Sequence, residues 1–204
     1  MEVENMEKTY LAAVKNRRTF YNISKETVIT DERIHQVIQE AVKYTPSAFN
    51  SQSARVAILV GKHHDVLWNI AKNELKKIVP AERFAQTEEK INSFANGYGS
   101  VLFFEDMAVV ENMQKQFPTY SDNFPIWSNQ ASGMLQHVIW VALELEGFGV
   151  SLQHYNPLID EAVKQEWSIP AKWKLIAQMP FGKPTAAPGD KEFQPLAERI
   201  KFFK

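Results

Sequence analysis

SNQASGMLQHVIWVALELEG, residues Ser128–Gly147, is the stretch on which the fold turns. Met134, Leu135, Val138, Ile139, Val141, Ala142 and Leu145 make it apolar nearly all round at helical spacing. Such a helix is buried on most sides, so it is expected at the centre of the molecule. Gly147 is its expected C-cap. The preceding FPTYSDNFPIW (117–127) holds two prolines and four aromatic rings and reads as a loop.

The other elements are laid out around that helix. MEKTYLAAVKNR predicts a first amphipathic helix carrying Tyr10, Leu11 and Val14. TDERIHQVIQEAVKY predicts a second, with Thr30 as N-cap, acids in the first turn, and Ile34, Val37, Ile38 and Val42 on one face. HHDVLWNIAKNELKKI and AERFAQTEEKINSFA read as two helices parted at Pro80. A further helix is expected to end near Gln116. In NPLIDEAVKQEW, Asn156 is the expected N-cap and Pro157 the first helical residue. Short apolar runs predict strands after Ser53, in SVLFFED, in GVSLQHY and in WKLIAQMPFG. The tail PLAERIKFFK reads as a short helix or an arm. With no hairpin signal between the runs, the strands are expected to pair across helices. The expectation is one α+β domain over residues 1–204, a small sheet wrapped in helices.

Composition narrows the chemistry. The 204 residues are 45% hydrophobic and 23% charged, with a net charge of −1. That near-neutral balance favours neither nucleic acid nor an anionic membrane. The absence of cysteine excludes a disulfide framework, a thiolate nucleophile and any thiolate-held metal. MEVENMEKTY is acidic and lacks the apolar core of a secretory signal, and no apolar stretch is long enough to span a bilayer. A cytoplasmic location is expected. His63, His64 and Asp65 lack a matching third ligand and read as surface residues. Phosphate-loop, dinucleotide, nucleophile-elbow and zinc-protease motifs are all missing.

Four short segments remain. KNRRTFYNI offers Arg17, Arg18 and the Thr19 hydroxyl, either as phosphate donors or as solvated charges after a helix. PSAFNSQ sets Pro46, Ser47, Asn50 and Gln52 around Phe49 just before a core strand, as an ordinary loop or as a wall for a flat polar ligand. SLQHYNP places Gln153 and His154 after a strand, where a lone histidine can be structural or catalytic. MPFGKP ends a strand with Gly182 and Lys183, a turn or a close approach to an anion.

Read in order, RRT, PSAFNSQ, GVSLQHY and GKP resemble the nitroreductase family over nearly the whole chain. Tyr21 in RRTFY, the QHYNP segment and the short length resemble its small fatty-acid-repression-mutant branch. The resemblance implies a nitroreductase-like α+β fold, an intertwined homodimer and an FMN cofactor. It implies that Arg17, Arg18, Thr19 and Tyr21 hold the phosphate, ribityl and pyrimidine side, with Gly182 and Lys183 completing a phosphate clamp. Gln153 and His154 would lie at the flavin ring. Pro46, Ser47, Asn50 and Gln52 would come from the partner subunit. NADH or NADPH would be the donor, and a small aromatic acceptor such as a nitroaromatic or quinone would be reduced by ping-pong, with no catalytic side chain required. Two departures stand out. Tyr21 occupies a position often held by a cation, and Gln52 is followed by SARV rather than PW. Phe117, Tyr120, Phe124 and Trp127 form either a lid over the ring or simple packing. The alternative function is a non-catalytic flavin-binding protein, regulatory or sequestering, in stress or lipid response.

Overall fold

The computed structural model describes residues 10–204. The helices are α1 (Tyr10–Asn16), α2 (Asp31–Tyr44), α3 (Lys62–Ile78), α4 (Ala81–Ala95), α5 (Met107–Gln116), α6 (Phe124–Leu145), α7 (Asp160–Glu166) and α8 (Leu196–Arg199). The strands are β1 (Ile23–Ser24), β2 (Ala54–Val60), β3 (Gly99–Asp106), β4 (Gly149–Val150) and β5 (Trp173–Pro184). The part of the expected first helix before Tyr10 lies outside the described residues.

The sheet runs β1-β5-β3-β2, with β4 also on β5, and every pairing is antiparallel. β2 and β3 pair across the α3–α4 excursion, as the lack of a hairpin signal predicts. Alternate residues of β3 feed two cores because side chains alternate across a strand. Val101 and Phe103 pack with Ile34 and Ile38 of α2 and with Leu135, Ile139 and Leu143 of α6. Leu102 and Phe104 pack with Leu67 and Trp68 of α3 and Ile91 and Phe94 of α4. The sheet is therefore covered on both faces, and β3 reads as a continuous apolar run rather than an alternating one.

Local rules account for most boundaries. The Thr30 hydroxyl accepts the Arg33 N–H at 3.3 Å and caps α2. α6 starts at Phe124, four residues earlier than the sequence suggests, so FPTYSDNFPIW is a loop only in its first part. Pro125 lies in the first turn of the helix, where its missing N–H is no loss. Asn156 does not cap α7, and Pro157 is not in it: Asn156 faces Gln178 at 3.5 Å, and turns carry the chain to Asp160. GVSLQHY forms only a two-residue strand, then one bridge between Gln153 and Gln178. The tail forms the short α8 and is exposed around it. No helix among the described residues is long and apolar enough to cross a membrane.

His64 is a correction of a different kind: it is buried, not a surface residue. It lies one turn before Trp68 on the face of α3 that packs on the sheet. Its Nε2 faces the Ala95 carbonyl at 3.3 Å and its Nδ1 faces the Ser100 hydroxyl at 3.0 Å, which itself accepts the Trp68 indole N–H. That network suits the neutral tautomer protonated at Nε2. Burial lowers its pKa from 6.5 to about 4. Above pH 6.5 it is neutral folded or unfolded. Between 6.5 and about 4 only the unfolded chain takes up the proton, so acid removes stability, roughly 3 kcal/mol in full. Chemical denaturation at pH 7.5 and pH 4.5 should therefore show a smaller acid-induced loss for His64→Gln than for the wild type. Equal losses would mean that His64 does not set this acid limb.

Candidate functional site

After α1 ends, the segment Arg17–Asn22 is pinned to the sheet by its backbone. The Phe20 N–H donates to the Val150 carbonyl at 2.9 Å, and the Thr185 N–H donates to the Asn22 carbonyl at 2.9 Å. These bonds bring the two arginines beside the chain that leaves β5. Arg17, Arg18, Thr19 and Tyr21 line a cavity of about 370 Å³ together with the Ala186–Lys191 segment. Arg17 lies 4.5 Å over the ring of Trp140, a cation–π contact. Its guanidinium makes no hydrogen bond among the described residues, so its edge donors remain for a ligand. The Arg18 guanidinium donates to the Gly189 carbonyl. Three cations, Arg17, Arg18 and Lys191, thus border one cavity against a single acid, Asp190. That donor set suits a phosphate.

Lys191 is the residue that sequence reasoning missed. The motif GKP draws attention to Lys183, but the chain needs several more residues to turn back over the arginines. Lys183 is exposed, its ammonium pairs with Glu26 at 2.6 Å, and it does not line this cavity. Gly182 has a packing reason as well. A Cβ there would fall 2.3 Å from the Ser24 carbonyl oxygen, so the β1–β5 pairing itself requires glycine.

Gln153 and His154 follow β4 along β5. Gln153 exchanges backbone bonds with Gln178 at 2.7 and 2.9 Å, and its amide reaches Ser151 at 3.1 Å. His154 is exposed. The rings of Tyr21 and Tyr155 both pack at 6.4 Å from Phe94, so the RRTFY and QHY segments are neighbours in the fold. The Tyr155 N–H donates to the Gln178 side chain at 2.7 Å, which fixes this corner.

PSAFNSQ is a tightly folded turn. The Asn50 N–H donates to the Ser47 carbonyl at 3.0 Å, and the Gln52 N–H donates to the Ser47 hydroxyl at 2.9 Å. Phe49, Asn50 and Gln52 all take positive φ, which is uncommon for residues other than glycine. The turn exposes Asn50 and Gln52, leaves Pro46 and Ser47 half-covered or open, and turns Phe49 into an aromatic group. Phe117, Tyr120, Phe124 and Trp127 all surround the Phe49 ring, at 4.8 to 5.9 Å between centroids. Phe49, Phe117 and Tyr120 remain partly exposed, so this group presents an aromatic surface. Where the turn leads into β2, the Ser53 hydroxyl donates to the buried Glu105 carboxyl at 2.6 Å. Burial raises the Glu105 pKa to about 7.

Within one chain the two halves lie apart. Arg17 rests on Trp140 near the end of α6, whereas Phe49 stacks on Trp127 near its start. About thirteen residues of helix separate these anchors, roughly 20 Å.

Comparison with known proteins places the chain in one family. The nitroreductase family profile matches residues 14–183. The nitroreductase FRM2 of Saccharomyces cerevisiae is 36% identical over 186 residues, covering 90% of this chain and 92% of its own length. Nitroreductase CinD of Lactococcus lactis, solved with chloramphenicol, is 44% identical with a TM-score of 0.89, covering 96% of this chain and all of CinD. A Desulfovibrio desulfuricans protein solved with FMN shares the fold at 18% identity, with a TM-score of 0.69 over 95% of this chain and 96% of its own. Profile, sequence relatives and fold agree: the chain belongs to the nitroreductase family.

Proposed function

We propose that this chain is an FMN-dependent oxidoreductase that uses NADH or NADPH to reduce electron-poor acceptors such as nitroaromatics and quinones. The observation that carries this reading is the convergence of Arg17, Arg18 and Lys191 on one cavity beside the QHY segment. Bound FMN would supply hydride and electron transfer, in alternating half-reactions with nicotinamide and acceptor. The chain itself anchors and excludes. Arg17, Arg18, Lys191 and the Thr19 hydroxyl would take the phosphate, and Tyr21 would border the ring side. Gln153 and His154 would offer backbone N–H groups near the ring. The family resemblance and the Desulfovibrio complex support FMN over other anions. The CinD complexes with chloramphenicol and 4-nitrophenol support a nitroaromatic acceptor.

In this reading residues 1–204 form one cytoplasmic domain that works as a homodimer. An exposed groove of about 570 Å³ between α2 and α6 is lined by Val37, Tyr44, Pro46, Val138, Ala142 and Leu145. A second copy would cover that face, whose apolar centre is flanked by Arg33, Glu40 and Glu146, and bring Ser47, Asn50 and Gln52 to the far half of its partner's site. The aromatic group around Phe49 would then wall the acceptor side.

The test is an anaerobic titration of the purified, yellow protein with NADH and then NADPH. Bleaching, followed by recovery of colour on adding 4-nitrophenol or a quinone, is the expected result. A bound flavin that neither nicotinamide bleaches would instead favour the non-catalytic binding protein. His154→Ala should keep its flavin and lose activity only modestly, because the exposed imidazole is not required for hydride transfer. A loss of several orders of magnitude in the bleaching rate, with flavin fully loaded, would make the imidazole an acid or base.

A further inference from the structure

Glu144 stands directly behind the arginine pair. It lies one helical turn after Trp140 on α6, and its Oε1 accepts the Trp140 indole N–H at 2.7 Å. Its Oε2 accepts the backbone N–H of Arg18 at 3.0 Å. One carboxyl therefore fixes the ring that carries the Arg17 guanidinium and the backbone that carries Arg18. It does not border the outer cavity where the cations meet. It lines a second, inner cavity of about 260 Å³ with Asn16, Arg17, Phe20, Phe148 and Pro184. The charged groups acting on it are Arg17 and Arg18. The neighbours from α1, from the end of β5 and from the loop before β4 carry no charge.

We propose that Glu144 is the positioning residue and internal counter-ion of the phosphate site, and that it takes up a proton when FMN binds there. This rests on the reading of the cavity as a flavin phosphate site. The carboxylate balances two guanidinium groups, neither of which hydrogen-bonds to an acidic side chain among the described residues. A phosphate dianion takes over that role from the other side. Two like-charged acceptors around one arginine pair repel, and the carboxyl relieves this by protonation. The protonated form still accepts through its carbonyl oxygen, so the turn stays held. Burial supports this, since it already raises the Glu144 pKa to about 7, against the lowering effects of both hydrogen bonds and both arginines. The carboxyl is thus poised to change charge near neutral pH. A ligand that favours its protonated form must bind less tightly as pH rises through and above that value.

The experiment uses the full-length protein freed of flavin, titrated calorimetrically at pH 7.5 in two buffers of different ionisation enthalpy. Riboflavin, which lacks the phosphate, is the paired probe. At this pH the FMN phosphate, with a second pKa of about 6, is already a dianion. FMN is expected to bind with uptake of roughly half a proton or more, riboflavin with none. FMN affinity should fall between pH 6.5 and 8.5. In Glu144→Gln, which mimics the neutral carboxyl, FMN should bind without proton uptake and with a flat profile over that range. Riboflavin binding checks that the variant is folded. Wild type that binds FMN without proton uptake overturns the proposal, and so does Glu144→Gln that retains the uptake. Should the variant fail to fold, the difference between FMN and riboflavin in the wild type decides alone. Wild type that binds riboflavin as tightly as FMN, or binds neither, fails earlier and overturns the phosphate site itself.

Discussion

Replacing Arg17 by alanine is expected to weaken FMN binding about ten- to a hundredfold. A charge-assisted contact to phosphate contributes roughly 1.5–3 kcal/mol, which converts to that range. Arg17 is the stronger choice of the pair because its guanidinium already rests over the Trp140 ring, 4.5 Å from the centroid. Little side-chain freedom is left to lose on binding. Arg18 is partly engaged already, with the Gly189 carbonyl. Lys191→Ala should weaken FMN less than Arg17→Ala, since Lys191 is exposed and its ammonium is a point charge without the fixed donor fork of a guanidinium. Lys183→Ala should leave the affinity nearly unchanged, because its ammonium is paired with Glu26 outside the cavity. Fluorescence quenching of FMN on titration with each flavin-free variant measures all three. If Lys183→Ala proved the damaging change and Arg17→Ala the silent one, the phosphate would sit at the β5 end instead.

The placement of these residues shows what the sequence could and could not reveal. RRT was ambiguous alone, since cations are common after a helix, and gained meaning only in order with PSAFNSQ, GVSLQHY and GKP. Lys191 was not visible, because its role depends on where the chain goes after Pro184. No local pattern in TAAPGDK announces the return over Arg18. The same limit hid the reason for Gly182: its neighbour is the Ser24 carbonyl, far away in sequence. His64 was misjudged for a simpler reason. The lack of a third metal ligand suggested the surface, but its place on α3 with Leu67, Trp68 and Ala71 decides its burial. The start of α6 was misjudged because two prolines and four aromatics read as a loop, although proline in the first turn is a helix start. The elements themselves were legible. Helical periodicity and the β3 and β5 runs follow from burial on both sides of one sheet, a pattern each segment carries on its own. Glu144 illustrates the intermediate case. Its position on the central helix was readable, whereas the bond it accepts from the Arg18 N–H joins that helix to a segment 126 residues earlier.

The largest effect is expected from separating the two halves of the site. Arg17 and Lys191 belong to one end of α6, while Ser47 and Asn50 sit at the other, beside the aromatic group. A homodimer in which each site draws on both chains resolves that separation. Take one variant with Arg17→Ala and Lys191→Ala, and a second with Asn50→Leu. Asn50 has φ +50°, so leucine adds local strain of about 1–2 kcal/mol as well as bulk. Thermal melts confirm that each variant remains folded. Each homodimer then carries the same defect in both of its sites and should be nearly inactive. Co-refolded in equal amounts, about half of the dimers should be mixed if pairing is random. In a mixed dimer one site receives both defects and the other receives none. Activity should then return to roughly a quarter of wild type, an estimate that follows from counting intact sites under random pairing. Differently tagged chains, purified in two steps, isolate the mixed species and should raise that value to about half. A site completed within one chain would leave a defect everywhere and give no recovery. Mixed dimers that form but stay inactive would therefore refute the shared site, and with it the reading of PSAFNSQ as a wall offered to the partner.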